Sequence, residues 1–366
     1  MFDIPSSVIK ADRQVDHLLQ TVSFSQYLNP INAEEARQRF LHKGEPPPFA
    51  YNPLVDADQY LFDLDAIAPT ERHPLSKLLQ QKIEDLKLLI VALRDRTPKA
   101  FDALAERNDW YPQAEDLNIE IPIQLAETSP SVHSAQELIA RLKRALRERN
   151  LYEWGIVEDS VMSARVLVDG AKKILRVHPD ARFRKNDLER LVVHEIDVHA
   201  MRSHCGERQP LRCFSTGLSL SLKTEEGLAM LAEEKTRLLS PNSLQRQQDV
   251  VRAIHWGRSL GFRDLYTRLR NQCSPSLAWA ICQRIKRGLK DAEQPGVYAK
   301  DSVYLRGWKS VRDWIAQGGD IDLLYVGKVG IHHPIEDWIA QGWLTPQRAP
   351  LFWKDTERLR PSFAGK

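Results

Sequence analysis

Cysteine is scarce in this sequence, and neither sign of charge dominates. The 366 residues include four cysteines and no CxxC pair, which excludes a dense disulfide framework and indicates reduced thiols. The 52 basic and 49 acidic residues leave a formal net charge of +3. Because a nucleic-acid-binding protein usually carries a strongly basic face, this composition predicts no nucleic-acid partner.

Long hydrophobic runs are also missing. The longest nearly apolar run, Leu86–Leu93, spans eight residues and contains Lys87, whereas a membrane-spanning helix needs about 20 apolar residues. The amino-terminal residues have neither the basic region nor the apolar core of a signal peptide. The apolar fraction of 42% is typical of a globular protein. We therefore expect a cytoplasmic protein without a membrane partner.

The most informative feature of the sequence is a pair of histidines beside an acid, in the string HEIDVH at residues 194–199. Capping signals before this string and Gly206 after it predict a helix from about Asp187 to about His204. The histidines stand five residues apart, about 140° around an ideal α-helix, so an undistorted helix would not aim both at one ion. We predict a π-bulge at residues 196–198, which would bring both side chains to one face.

A third metal ligand is predicted about thirty residues further on. Glu225 and Glu226 open a second amphipathic helix, and a crossing of the two helices would bring Glu226 to the ion, with a fourth position left for water. Two histidines and a carboxylate also describe a non-haem iron site. Glu195 favours zinc hydrolysis, because an acid beside the first ligand can act as general base toward the attacking water. The sequence predicts one Zn²⁺ per chain, bound by His194, His199 and Glu226.

Between the first 150 residues and the histidine string, the sequence predicts a β-hairpin. Residues 162–168 alternate, Asp169-Gly170 supplies a turn, and residues 173–178 return. Such a hairpin would either pair with an extended substrate backbone beside the metal or serve packing alone.

The rest of the chain is predicted to be mostly helical, so the expected fold class is α+β and rich in helix, with a small sheet beside the HExxxH helix. We expect a mainly helical amino-terminal subdomain, residues 1–150, and a zinc metallopeptidase core with a helical carboxy-terminal part, residues 151–366, in one compact unit. The amphipathic segments of the first part are residues 8–20, 33–41, 75–94 and 99–107, and a capping box at Ser134 and Glu137 begins a further helix.

Taken together, these motifs resemble the QEGLA-motif family, bacterial proteins described as flavohaemoglobin expression-modulating. That family is similar to the animal microtubule-associated tyrosine carboxypeptidases. The resemblance extends from about residue 10 to about residue 345, and Glu225 stands where the family name has glutamine. It is carried by His194–His199, Gln209–Leu211, Gly217–Leu218, Glu225–Ala229, Arg287–Gly288, Gly296, Lys300–Asp301, Tyr304 and Gly307.

The resemblance implies a zincin-like metallopeptidase core in which His194, His199 and Glu226 bind zinc and Glu195 is the catalytic base. It also implies a carboxypeptidase that removes a carboxy-terminal aromatic residue, tyrosine or one like it, from a peptide or protein tail. The mechanism expected from the residues is direct attack by a metal-activated water, without a covalent enzyme intermediate.

Three residues of the second motif block are candidates for substrate binding. Tyr304 would donate a hydrogen bond to the tetrahedral oxyanion. Arg287 and Lys300 would hold a substrate carboxylate, the first through its bidentate fork and the second as a point charge. The competing interpretation is that these side chains serve in ordinary ion pairs, and it is the family pattern that selects them among the basic residues.

Two other functions fit the same motifs. An HExxxH string followed by a Glu-Glu pair also resembles dipeptidyl peptidase III, which would make the protein an aminopeptidase or dipeptidyl-peptidase, although that enzyme is much longer. A regulatory protein with a structural zinc is the other alternative, with Cys205 or His204 closing the fourth position. The oligomeric state is not predicted.

Overall fold

The computed structural model describes residues 4–67, 69, 72–121, 132–162 and 164–354. Most of them are helical, as the apolar periodicity predicts. The α-helices are α1 (Ser6–Thr21), α2 (Ser25–Leu28), α3 (Ala33–Lys43), α4 (Ala57–Ile67), α5 (Pro74–Asp95), α6 (Pro98–Arg107), α7 (Ala135–Glu148), α8 (Lys185–Leu191), α9 (Met201–Gly206), α10 (Cys213–Thr216), α11 (Leu222–Lys235), α12 (Pro241–Gly257), α13 (Phe262–Arg270), α14 (Pro275–Lys286), α15 (Val303–Ala316) and α16 (Ile335–Ala340). A π-helix spans Val192–Ala200, and 3₁₀ helices span Ala114–Asn118, Ala299–Ser302, Ile321–Tyr325 and Leu351–Lys354.

The starts of α5, α6 and α7 follow capping signals in the sequence. At the start of α7, Ser134 Oγ accepts a hydrogen bond from the Glu137 amide (3.3 Å), and the Glu137 carboxylate accepts one from the Ser134 amide (2.7 Å). In α5 and α6 a proline occupies the first turn, after His73 and Thr97 as N-caps. The predicted capping box and the four predicted amphipathic helices before residue 110 are confirmed.

The sheet has three strands in the order β1–β3–β2, where β1 is Gly155–Glu158, β2 is Val166–Asp169 and β3 is Ile174–Val177. β2 and β3 form the predicted antiparallel hairpin. The sequence pattern does not predict β1, which pairs in parallel with β3, because its four residues are mostly exposed and too few to establish an alternation. The helix-rich α+β class is confirmed, and the zincin-like core stays a prediction.

Residues Lys185–Gly206 run through α8, the π-helix and α9 without a break, and we call them the histidine helix. It lies between two apolar cores. Val193 and Val198 belong to the core that joins α1, α5 and α6 to the carboxy-terminal helices. Val192 and Ile196 belong to the core that joins α7 and the sheet. The histidine helix is therefore held on two faces, while the domain division at residue 150 stays a prediction.

No helix in the described part of the chain is long and apolar enough to span a lipid bilayer.

Candidate metal centre

The π-helix aligns the two histidines. Its backbone hydrogen bonds join residues five apart, so side chains at i and i+5 lie on one face, which an α-helix would not allow. The rings of His194 and His199 lie 4.8 Å apart between centroids, at 81°. All nine residues of the π-helix are buried. The predicted distortion at residues 196–198 is confirmed, and it extends further in both directions, over Val192–Ala200.

Contacts to Asp197, in the middle of the π-helix, hold the wide turn. The Asp197 carboxylate accepts hydrogen bonds from both Nε and Nη2 of Arg149, at the end of α7. The Asp197 carbonyl accepts one from the Tyr325 hydroxyl (3.0 Å). Because π-helical backbone is otherwise rare, we attribute its persistence here to tertiary contacts that an isolated helix would lack.

The helix α11 crosses the histidine helix and brings Glu226 to both imidazoles. Glu226 Oε2 lies 3.8 Å from His194 Nε2 and 3.4 Å from His199 Nε2. The Nδ1 atom of each ring is bound to another carboxylate, Glu233 for His194 and Glu225 for His199, at 2.7 Å in both cases. In the neutral ring with its hydrogen on Nδ1, the Nε2 lone pair lies on the side of Glu226, which is the form that metal binding requires.

The chemistry of this group fits a metal ion. Glu226 Oε2 is buried and has no hydrogen-bond partner among the described residues, which is costly for a charged oxygen unless a cation completes it. His194, Glu195 and His199 offer ligand atoms that all lie within 4.8 Å of one another. Two imidazole nitrogens and one carboxylate oxygen are a donor set that suits Zn²⁺. We call His194, Glu195, His199 and Glu226 the metal-ligand cluster.

A close approach of two helices places Tyr304 near this cluster. Gly227, next to Glu226, packs against Gly307 of α15, and a Cβ on either residue would overlap backbone atoms. Tyr304 lies one turn before Gly307 and lines the same cleft as Glu226. Burial and the Glu226 carboxylate raise the pKa of the Tyr304 phenol well above its usual value. The hydroxyl therefore stays protonated at neutral pH and remains a hydrogen-bond donor.

The cleft has a volume of about 760 Å³ and contains every residue for which we predicted a catalytic, metal-binding or substrate-binding role. One wall carries the metal-ligand cluster. Another carries the edge strand β2, and a third comes from residues between Thr21 and Asn29. The last of these lies outside the sequence motifs, which explains why no sequence signal pointed to it.

A second charged group in the cleft consists of Arg284, Arg287, Lys300 and Asp301, which we call the basic cluster. Asp301 accepts hydrogen bonds from Nε and Nη2 of Arg284, and Arg287 Nη2 lies 3.5 Å from Asp301 Oδ1. Burial opposes ionisation of Asp301, but the two guanidinium groups lower its pKa below the usual value. One carboxylate thus serves two arginines.

The basic cluster is left with an unpaired donor and with further positive charge. Arg287 Nε is buried without a hydrogen-bond partner among the described residues. Lys300 is one of the positive charges that oppose the effect of burial on Glu226 and Asp301 and lower the pKa of both carboxyl groups. The sequence pattern predicts a substrate-binding role for Arg287 and Lys300 but not for Arg284 and Asp301. The spacing of Arg284 and Arg287, which stand three residues apart at the end of a helix, is the signal that could have identified the pair.

His204, one of the alternative fourth ligands, is directed elsewhere. Its Nε2 atom lies 2.9 Å from Nη2 of Arg208. Cys205 is buried, and burial raises the pKa of its thiol to about 11, which disfavours the thiolate that a metal requires.

The structure defines a helix-rich α+β protein in which two histidines and a glutamate converge in a deep cleft. Comparison with known proteins identifies the family. Residues 38–365 match the model of the microtubule-associated tyrosine carboxypeptidase family, and the chain belongs to that family. The similarity to these carboxypeptidases predicted from the motifs is therefore confirmed.

Individual relatives support the assignment. The chain is 32% identical to microtubule-associated tyrosine carboxypeptidase 1 of Mus musculus over 211 residues, which is 56% of this chain and 44% of the relative. It is 31% identical over 209 residues to the Homo sapiens protein of the same name, covering 56% and 43%. It is 28% identical over 203 residues to the putative tyrosine carboxypeptidase MATCAP2 of Homo sapiens, covering 54% and 36%. The matched region thus spans less than half the length of these relatives.

Proposed function

We propose that this protein is a zinc-dependent carboxypeptidase that removes a carboxy-terminal aromatic residue, tyrosine or one like it, from a peptide or protein tail. One observation carries the proposal. Among the described residues of one cleft, a buried carboxylate oxygen of Glu226 has no hydrogen-bond donor and a buried guanidinium N–H of Arg287 has no hydrogen-bond acceptor. A metal ion would complete the first, and the terminal carboxylate of a substrate would complete the second.

The metal-ligand cluster supplies the hydrolytic part of the reaction. His194, His199 and Glu226 would hold Zn²⁺, which when bound polarises the scissile carbonyl and lowers the pKa of water. Glu195 takes the proton of the attacking water and passes it to the leaving amine. Tyr304 donates a hydrogen bond to the oxyanion that forms on the carbonyl, because its phenol stays protonated.

The basic cluster supplies the preference for a chain end. Arg287 and Lys300 bind the terminal carboxylate, with Arg287 supported by Asp301. The scissile carbonyl and the terminal carboxylate of a substrate are separated by one residue. A carboxypeptidase therefore needs a cationic site close to its catalytic metal, and both clusters line the same cleft.

The substrate backbone is proposed to run along β2. This strand lines the cleft, pairs with β3 on one side, and has no other strand beside it in the described part of the chain. Its free edge can accept an extended peptide by main-chain hydrogen bonding. The preference for tyrosine rests on the names of the relatives, which are tyrosine carboxypeptidases.

The alternative of an aminopeptidase is less well supported. Such an enzyme would bind a positively charged amino terminus next to the metal. Arg284, Arg287 and Lys300 carry three positive charges there against the single carboxylate of Asp301, so they would repel an ammonium group.

The first experiment measures metal content by mass spectrometry on protein purified without added metal, for the wild type and for Glu226→Ala. The same preparations are incubated with peptides of one sequence that end in tyrosine, in tyrosine amide or in alanine. We expect one zinc per wild-type chain, its loss in the variant, and release of tyrosine mainly from the free acid.

Three results would contradict the proposal at different points. Wild-type protein without zinc would refute the metal site. Equal cleavage of the acid and the amide would refute carboxylate recognition. Bound zinc without cleavage of any peptide would favour the structural-zinc alternative.

A further inference from the structure

Helix α11 directs three acids toward the histidine helix, and they differ in one respect. Glu225 and Glu233 each contact an arginine and the Nδ1 atom of a histidine, whereas Glu226 Oε2 faces the two Nε2 atoms and has no hydrogen-bond partner among the described residues. We propose that Glu225 and Glu233 are positioning residues, which orient His199 and His194 for the metal that Glu226 helps to bind. This inference rests on the proposed function and assigns roles within the same site.

The first chain of contacts runs from Arg190 through Glu233 to His194. Glu233 Oε1 lies 2.7 Å from His194 Nδ1 and 2.8 Å from Arg190 Nη1. The Glu233 side chain is 3% exposed. Arg190 is located one turn before His194 on the histidine helix, so a single carboxylate from α11 binds two residues of that helix.

A second series of contacts has the same order, from Arg202 through Glu225 to His199. Glu225 Oε1 lies 2.7 Å from His199 Nδ1, and Glu225 Oε2 accepts a hydrogen bond from Nη1 of the fully buried Arg202. Lys328 Nζ lies 3.2 Å from Glu225 Oε1. Arg202 stands three residues after His199. Both series of contacts therefore start and end on the histidine helix and pass through α11.

Arg202 is itself fixed by backbone groups. Its Nε and Nη2 atoms donate to the carbonyls of Leu324 and Val329, both at 2.7 Å. The carboxy-terminal segment thus holds Arg202, Arg202 holds Glu225, and Glu225 holds the ring of His199. Each link is buried, where a hydrogen bond to an ionised group is strong and its loss is costly.

This arrangement gives each imidazole what a metal ligand needs. A carboxylate on Nδ1 fixes the tautomer, limits rotation of the ring and increases the basicity of Nε2. The charge of Glu225 and Glu233 is already compensated by Arg202, Lys328 and Arg190. That compensation leaves Glu226 as the acid of α11 that is available to a cation.

Residue 225 is a glutamate in this chain. Glutamine, which the family name has at this position, could still accept a hydrogen bond from His199 Nδ1 through its carbonyl oxygen. It would leave Arg202 and Lys328 without their anion. In this chain the negative charge of Glu225, and not only its shape, is therefore part of the positioning device.

The test uses nearly isosteric variants, Glu225→Gln and Glu233→Gln, followed by Glu225→Ala and Glu233→Ala. Glu234→Gln is the matched control, because Glu234 is on the same helix but contacts Trp308 instead of a histidine. Zinc affinity is measured by competition with a chromophoric chelator, and the electronic absorption spectrum is recorded after replacement by Co²⁺. Circular dichroism of the metal-free forms checks folding.

We expect each alanine variant to bind zinc about 10- to 100-fold more weakly than wild type. The glutamine variants should show a smaller loss and an altered Co²⁺ spectrum, and Glu234→Gln should match wild type. Folded variants with wild-type zinc affinity and an unchanged Co²⁺ spectrum would overturn the proposal. A wild-type protein that binds no zinc would instead refute the proposed function, so the two failures are distinguishable.

Discussion

The metal-ligand cluster and the basic cluster line one cleft, but among the described residues the buried atom without a hydrogen-bond partner is an acceptor in the first and a donor in the second. In the metal-ligand cluster the unpartnered atom is a carboxylate oxygen, Glu226 Oε2. In the basic cluster it is a guanidinium nitrogen, Arg287 Nε. The surrounding charges, in contrast, are paired: Glu225 and Glu233 with basic residues, Asp301 with Arg284.

This difference separates the two kinds of ligand that the cleft lacks. A buried charged group whose hydrogen-bonding atom is unsatisfied destabilises a folded protein, and a ligand that supplies the missing partner would relieve that cost. In the metal-ligand cluster the missing partner would be a permanently bound cation, which is a cofactor. In the basic cluster the missing partner would be an anion that binds only transiently, as part of a substrate. Substitutions should therefore affect turnover in the first cluster and substrate binding in the second.

Glu195→Gln gives the largest expected effect and affects turnover alone. The amide cannot accept the proton of the attacking water, so kcat should fall by about 10²- to 10⁴-fold. Zinc content should stay at the wild-type level, because His194, His199 and Glu226 are retained. Steady-state kinetics with a tyrosine-terminated peptide, together with metal analysis, check this. Loss of zinc along with activity would instead make Glu195 a ligand.

Tyr304→Phe should have the next largest effect. Removing one hydrogen-bond donor to an oxyanion costs about 10²- to 10³-fold in kcat, whereas KM should change little. The exposed Tyr152, at 72% relative accessibility, provides the control Tyr152→Phe. An effect of Tyr304→Phe on KM alone would place the phenol in substrate binding and remove it from the chemistry.

Arg287→Gln tests whether the basic cluster binds the terminal carboxylate of the substrate. It should reduce kcat/KM by about 10- to 100-fold through KM, since a hydrogen bond to a charged group contributes about 1.5–3 kcal/mol. Peptides that end in an amide serve as the internal control, because they lack the carboxylate and should be cleaved at similar rates by both proteins. A variant that lost activity equally on acids and amides would indicate a structural role for Arg287.

The sequence predicted the parts of the site that depend on local spacing. Two histidines five residues apart required a distorted helix, and paired acids at the start of a second helix identified Glu226. Lys300, Arg287 and Tyr304 came from the family pattern, and the structure brings them to the same cleft.

The remaining parts depend on contacts that no local pattern records. Arg202 reaches the Leu324 carbonyl, 122 residues away, and Arg149 reaches Asp197, 48 residues away. The pairing of Gly227 with Gly307 joins two motifs that the sequence presents separately. The sequence does not distinguish Glu225 from Glu226, because the contacts of Glu225 are with Arg202 and Lys328, which are distant in the sequence.

The smallest expected effect is on the stability of the fold, and it arises in the metal-ligand cluster. In the metal-free protein, burial lowers the pKa of His194, but Glu195, Glu226 and Glu233 raise it to about 10, above the ordinary 6.5. Because the folded-state pKa is the higher one, this stabilisation is complete below about pH 6.5 and is lost as the pH rises through about 10. Bound zinc would occupy the nitrogen that the proton leaves.

We therefore expect the free energy of unfolding of metal-free protein to fall between about pH 7 and about pH 9, and to fall less after zinc is added. Urea denaturation at the two pH values, with and without a chelator, measures both slopes. His194→Gln removes one titrating group and should reduce the metal-free slope. His199, buried beside Glu226 and Glu225, whose charges raise its pKa as well, should retain part of the slope. A flat wild-type slope would show that the three carboxylates do not raise the pKa of His194. The negative charge attributed to the metal-ligand cluster would then be wrong.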